Sequence, residues 1–190
     1  MSGQASRTLG AARSGRVCLY DRHPAPADLR TEVLRGLGQG RKCLSPKLFY
    51  DRQGSRLFDA ITTLPEYDPP RTEIAILRAH GPDMARRLGK GRVLVELGSG
   101  SSLKIQLLLA ALEPAVYVPV DISREHLLAS AEALAVRFPR LAVHAVCADY
   151  STPLDLPLES HWGTRVAFFP GSSIGNFDPP EARALLGRIG

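Results

Sequence analysis

Four short groups of residues in this 190-residue chain could do chemistry together, and most follow an apolar run. They are Glu96-Leu97-Gly98-Ser99-Gly100-Ser101-Ser102, then Asp121, then Asp149-Tyr150, then Gly171-Ser172-Ser173-Ile174-Gly175-Asn176. Glycines at 98 and 100 let the backbone turn tightly and approach a ligand closely. Asp121, twenty-three residues after Gly98, has the spacing of a carboxylate that accepts hydrogen bonds from ribose hydroxyls. Asp149 could accept from an adenine amino group, with Tyr150 packing on the ring. The plainer alternative is that Asp121 and Asp149 simply cap the next turn or helix, as Asp-Ile-Ser can.

The pattern selects among nucleoside ligands. A dinucleotide site wants G-x-G-x-x-G, and Leu103 stands at the third glycine position. A P-loop wants G-x-x-x-x-G-K-[ST], which GSGSSLK does not supply. S-adenosylmethionine offers a ribose and an adenine with no pyrophosphate, so it needs no close helix–phosphate approach. Its amino-acid carboxylate suits Lys104, early in the following helix, although a helix-surface lysine is usually just solvated. Gly171-Ser172-Ser173-Ile174-Gly175 also matches G-x-S-x-G, so a serine hydrolase using Ser173 is an alternative. In that fold the acid and histidine follow the serine, yet no histidine lies downstream of Ser173. Asn176-Phe177-Asp178-Pro179-Pro180 is similar to the D/N-P-P-aromatic loop of base and amide methylases, but Glu181 holds the aromatic position. Asp178-Pro179 is equally an N-cap followed by an N1 proline. Tyr67, in LPEYDPP, could be a core or loop aromatic, and His144 reads as structural.

The elements that must position these groups follow from periodicity. RVLVEL (92–97), AVYVPV (115–120), LAVHAVCA (141–148) and RVAFFP (165–170) are apolar runs that alternate with helical patterns. That grammar predicts α/β: a doubly wound, Rossmann-like parallel sheet covered on both faces, with ligands at the carboxyl ends of its strands. Residues 91–190 carry this pattern, and 28–90 form a helical front section. In that section Asp28 is placed to cap a helix with Leu29, Val33, Leu34 and Leu37 on one face. Ser55 is placed to cap a second, with Leu57, Phe58 and Ile61 inward. A third places Ile74, Leu77 and Met84 on a stripe, with a break or kink expected at Pro82.

Residues 1–27 read as a flexible basic arm. Residues 1–50 carry nine Lys/Arg against three acids, whereas 51–190 carry fifteen against sixteen. The net charge of +5 therefore sits largely ahead of the folded body, which argues against a nucleic-acid face there. An Arg-rich, acid-poor start is also the composition of an organelle transit peptide. No run approaches the length of a membrane span and no secretory leader is evident. Cys18, Cys43 and Cys147 form no CxxC pair, which speaks against a disulfide framework or zinc knuckle and suits a reducing cytoplasm.

Taken together, SPKLFYDRQGSRLFDAITTLPEY, RTEIAIL, VELGSGSSLK, YVPVDIS, CADY and FFPGSSIGNF resemble the histidine Nα-methyltransferase family of ergothioneine biosynthesis. The similarity runs from about Leu29 to Gly190. It implies a class I S-adenosylmethionine-dependent methyltransferase fold that transfers methyl groups to the α-amino nitrogen of L-histidine, giving trimethylhistidine (hercynine). By that resemblance Gly98, Lys104, Asp121, Asp149 and Tyr150 bind the methyl donor, while Tyr67, Gly171 and Asn176 line the histidine pocket. Asp68 stands where many relatives have a second Tyr, and Tyr150 replaces a common Phe. The implied reaction needs no metal and no covalent enzyme intermediate, and no general base is identified. A monomeric, cytoplasmic enzyme with a small-molecule substrate is the expectation.

The resemblance also implies that relatives continue well beyond Gly190, with a further substrate domain. Two expectations follow: a truncated chain, acting as a donor-binding module without turnover, or a piece of a normal enzyme. In either case residues 91–190 supply only the first half of that fold, and the strand at 165–170 is expected at a sheet edge.

Overall fold

The computed structural model describes residues 12–14, 16–23, 26–100 and 102–189. In chain order the elements are β1 (Ala12–Ser14), β2 (Val17–Asp21), α1 (Pro26–Leu37), α2 (Arg52–Ile61), α3 (Pro69–Leu88) and β3 (Val93–Leu97). There follow α4 (Ser102–Leu112), β4 (Val116–Asp121), α5 (Arg124–Arg137), β5 (Ala142–Cys147), β6 (Arg165–Phe168) and α6 (Pro179–Ile189). Short 3₁₀ turns at Pro46–Phe49, Ser160–Trp162 and Ser173–Asn176 complete the path.

One six-stranded sheet has the order β1-β2-β5-β4-β3-β6. All neighbours are parallel except β1, which pairs antiparallel with β2. The chain steps outward from β3 to β4 to β5, then returns to the far side of β3 as β6. The direction of winding therefore reverses between β3 and β6, and a crevice opens at such a reversal, outside the carboxyl ends of the strands. The α/β expectation holds, with β6 at one edge.

Strand alternation splits the core in two. Leu94 and Tyr117 face α4 and α5, packing with Ile105, Leu109, Leu112, Leu127 and Leu134. Val93, Val95, Val116, Val118 and Val120 face the other way, beneath Leu154, Leu156, Trp162, Phe177 and Leu185 from the β5–β6 connection and α6. Burial on both faces explains why these strands read as continuous apolar runs.

Several expectations need correction. The expected arm at 1–27 lies partly outside the described residues, but residues 17–21 are a sheet strand in register with β5. Val17 and Leu19 are buried while Cys18, Tyr20 and Asp21 are less so, and this period-two alternation was masked by the Arg-rich composition around it. Tyr20 stacks on His144, with its hydroxyl 3.1 Å from Nδ1, and Trp162 packs on the same imidazole. His144 is thus structural.

In the front section, α1 begins at Pro26, ahead of Asp28, whose side chain lies outside the described residues. Asp51, not Ser55, caps α2: its Oδ1 accepts from Gly54 N at 2.7 Å. Ser55 is instead buried, donating to Ser123 Oγ at 3.2 Å. Of the expected inward face, Leu57 and Ile61 are exposed. α3 runs unbroken through Pro82. Its Leu77 and Gly81 are buried, and a Cβ on Gly81 would lie 3.6 Å from Ala111 on α4. Two turns before Gly81, Glu73 meets Lys104, two turns before Ala111. The two helices therefore run side by side in one direction, bringing both starts to the crevice.

Candidate functional site

The turn after β3 forms one wall of the crevice. Gly98 has φ +74°, a left-handed conformation that disfavours any side chain, and an added Cβ would sit 3.3 Å from the Tyr150 hydroxyl. Gly98 and Ser99 both donate their amides to Val120 O, at 2.9 and 3.3 Å, which fastens the turn to the end of β4. His126 on α5 approaches Gly100 O at 3.0 Å through Nε2; with the carbonyl as acceptor, Nε2 carries the proton.

Asp121 ends β4 within this wall. Its Oδ1 accepts from Ser123 N at 2.8 Å, and the Gly100 and Ile122 amides also bond it. Burial raises its pKa, and these amides and nearby His126 only partly offset that. Asp121 therefore does cap the turn into α5, as the plainer alternative held. A carboxylate has about four acceptor sites, so this does not exhaust it. Ser123 occupies the N-cap position without a side-chain cap bond.

Asp149 follows β5 and is more fully engaged than the sequence suggested. Lys47 Nζ donates to its Oδ2 at 2.7 Å, and Ser151 donates to Oδ1 through its amide, at 2.9 Å, and its hydroxyl. Lys47 also pairs with Glu32 at 2.6 Å. Burial would raise the Asp149 pKa, but the Lys47 ammonium and the Ser151 bonds outweigh it and hold the carboxyl below its ordinary value. For Lys47, burial opposes the charge, and the two carboxylates win and raise its pKa. An open cleft of about 520 Å³ lies beside this pair, on the β2 side, lined by Arg22, Leu29, Thr152 and Pro153 among others.

Tyr150 reaches back over the turn. Its ring packs edge-on against Phe169 and is tilted against Phe177, and its side chain is hydrogen-bonded with Ser173. Burial pushes its pKa up to about 12, so the phenol is neutral. Ser173 opens a 3₁₀ turn instead of a strand-to-helix elbow, and α6 starts only at Pro179. Glu181 reaches back to accept from Asp178 N at 3.1 Å, so the Asp-Pro-Pro segment is a helix start.

The opposite wall is built by Lys104 and Gly171. Lys104 Nζ donates to Glu73 Oε2 at 2.6 Å, and the Gly171 amide donates to Glu73 Oε1. Asn176 is exposed at the end of the 3₁₀ turn. Tyr67 lies further off, at the end of an aromatic row in which Phe58 packs edge-on against both Tyr67 and Tyr50. Tyr50 is close enough to Tyr150 to add to its raised pKa. The structure thus gathers Gly98, Lys104, Asp121, Asp149, Tyr150 and Gly171 at the strand ends, and links Tyr67 to them through that row.

Four residues were missed in the sequence, and a fifth, Glu96, was named there without a role. Lys47 and Glu73 lay within the SPKLFYD and RTEIAIL segments without a spacing rule to flag them. Tyr50 and His126 gave no signal. Glu96 had one, an acid ending an apolar strand. It is 2% exposed and accepts from the Tyr117 hydroxyl. Burial pushes its pKa up to about 8, against the Tyr117 bond and the Lys104 charge. Among the described residues, no three His, Cys, Asp or Glu side chains gather as a metal cluster, and no helix is long and apolar enough to cross a membrane.

Comparison with known proteins fits this geometry. The chain is 42% identical over 163 residues to a histidine N-alpha-methyltransferase of Mycolicibacterium smegmatis, covering 83% of this chain and 50% of that protein. It is 34% identical over 167 residues to ergothioneine biosynthesis protein 1 of Neurospora crassa, covering 84% and 19%. A 4-dimethylallyltryptophan N-methyltransferase of Claviceps purpurea is 30% identical over 171 residues, covering 85% and 49%. The chain spans about half the length of the first of these relatives. A family model described as histidine-specific methyltransferase, SAM-dependent, matches residues 29–190, and this chain belongs to that family.

Proposed function

We propose that this chain carries the donor site and part of the acceptor site of an enzyme that methylates the α-amino nitrogen of L-histidine to the trimethylated product. The observation that carries the reading is the placement of Gly98, Asp121, Asp149 and Gly171 at or just after the ends of β3, β4, β5 and β6, with Lys104 beside Gly171, in a chain of this family. The 42% identity to a histidine enzyme, against 30% to a dimethylallyltryptophan enzyme, favours histidine as the acceptor.

The residues present fit S-adenosylmethionine. Asp121 has spare acceptor capacity for ribose hydroxyls, Gly100, two residues after Gly98, leaves the turn open to close approach, and Lys104 offers a cation for the amino-acid carboxylate. Asp149 keeps a charged carboxylate at the adenine end. Its ion pair with Lys47 makes it a fixed acceptor. Tyr150 contributes an aromatic wall that stays neutral.

When bound, S-adenosylmethionine supplies an electrophilic methyl group on a sulfonium centre. The protein's part is alignment of the amine with that methyl and exclusion of water, which can supply several kcal/mol of the barrier, about 7–11 in well-oriented cases. The amine attacks only without its proton, so the rate rises with pH through the amine's ionisation in the complex. Gly171, exposed beside Lys104, and Asn176, exposed at the end of the 3₁₀ turn Ser173–Asn176, are assigned to the acceptor, with Tyr67 completing its pocket.

The test is a methyl-transfer assay with L-histidine, read by mass spectrometry for one, two and three added methyl groups. Asn176→Ala should raise the KM for histidine about tenfold, the cost of one lost polar contact, and leave the donor KM within about twofold. Equal effects on both constants would remove Asn176 from the acceptor site.

A further inference from the structure

Glu73 has no place in the donor or acceptor assignments above, yet it touches a member of each. Its carboxylate is a two-ended bridge: Oε2 accepts from Lys104 Nζ at 2.6 Å and Oε1 accepts from the Gly171 amide. Lys104 Nζ lies 3.9 Å from where a Gly171 Cβ would stand, so all three groups form one cluster. The cluster is half-sheltered, with the Lys104 and Glu73 side chains 18% and 28% exposed, so solvent screens the pair only in part. The bridge also joins three separate parts of the chain: α3 of the front section, the start of α4, and the loop after β6.

Position explains the bridge. Leu77 and Gly81 follow Glu73 at four-residue intervals and bury the same stripe of α3, with Gly81 against Ala111 of α4. Packing between these helices fixes the Glu73 backbone, and the two hydrogen bonds its carboxylate accepts fix the far end of its side chain. Lys104 by contrast has a flexible four-carbon stem that carries about 2 kcal/mol of rotamer entropy. An ammonium has three donors, and among the described residues Glu73 is the partner of Lys104, through one of them, so the others can meet an incoming carboxylate.

We propose that Glu73 is a positioning residue: it holds the Lys104 ammonium ready for a ligand carboxylate and holds the Gly171 loop beside it. The identity of that ligand as the methyl donor rests on the function proposed above. The bridge itself rests on geometry alone. Because Glu73 acts on the ligand carboxylate through Lys104, its removal matters for donor binding only while Lys104 is present. A merely structural glutamate would weaken binding whether or not Lys104 were there.

The experiment is a double-mutant cycle on the full chain, with S-adenosylhomocysteine, which keeps the donor's carboxylate, titrated by calorimetry. Glu73→Gln should weaken binding about tenfold in the Lys104 background and by less than about twofold in a Lys104→Ala background. Unchanged affinity, or an equal loss in both backgrounds, would overturn the proposal. If wild type binds and Glu73→Gln does not matter, the positioning role fails while the donor reading stands. If wild type does not bind, the donor reading fails and takes this role with it. Amide hydrogen exchange without ligand tests the other end of the bridge and reports on folding. In Glu73→Gln the Gly171 amide should exchange about tenfold faster than in wild type while the β6 amides stay unchanged. Unchanged Gly171 exchange, or uniform loss of protection across β6, would contradict it.

Discussion

Glu96 shows what burial does to a single acid in this site. Its carboxyl is enclosed at the end of β3 with the Tyr117 hydroxyl as its hydrogen-bond donor, and its pKa moves from an ordinary 4.5 to about 8. The folded state therefore keeps the proton across a window in which the unfolded chain gives it up. Stability from this residue is fully present below about pH 4.5 and is lost as pH rises to about 8. Glu96→Gln has no such proton to lose, and its amide oxygen still accepts from Tyr117. Thermal melts should show the variant gaining on wild type by about 5 °C or more between pH 5 and pH 8. Parallel pH curves for the two proteins would contradict the assignment of a neutral Glu96. Asp149 behaves oppositely: paired with Lys47, it adds stability that is lost as pH falls through its lowered pKa.

Among the elements, the link from Phe49 to α2 decides where Lys47 points. The 3₁₀ turn Pro46–Phe49 delivers Lys47 to Asp149, and it is held against α2 at Gly54, where a Cβ would lie 1.6 Å from the Phe49 carbonyl oxygen. Gly→Ala inside a helix normally stabilises by about 1 kcal/mol. Here the clash is with backbone and reverses the sign, so Gly54→Ala should cost about 2 kcal/mol or more in urea unfolding, and should weaken donor binding through Lys47. A neutral or stabilising effect would show that the turn is free to move. How much of this was legible differs by element. β3 to β5 read correctly because most residues on both of their faces are buried and their apolar runs are continuous, and β6, partly exposed at the sheet edge, read from its apolar run alone. α3 read correctly in its stripe but not at Pro82, where the helix tolerates the missing amide. β2 was hidden because a half-buried strand of five residues carries little signal inside a basic stretch. The α2 start was misread because Asp51 and Ser55 both suit an N-cap, and the Asp51 bond to Gly54 N and the burial of Ser55 against Ser123 separate them.

For the molecule as a whole, the strand ends were legible and the front section's grip on them was not. Gly98, Asp121, Asp149 and Gly171 fall at strand ends by sequence order alone, and the reversal between β3 and β6 brings them together. The grip is made by Lys47 on Asp149 and by Glu73 on Lys104 and Gly171, across sequence separations that no local pattern encodes. Two charged side chains from the front section thus clasp the crevice at opposite ends. The central claim is that the crevice is a methyl-donor site with Asp121 on the ribose. The most direct measurement is calorimetric titration of the chain with S-adenosylmethionine, comparing wild type with Asp121→Ala at matched thermal stability. Two charge-assisted hydrogen bonds would be lost, so affinity should fall about a hundredfold. Equal affinity in the two proteins would contradict the account.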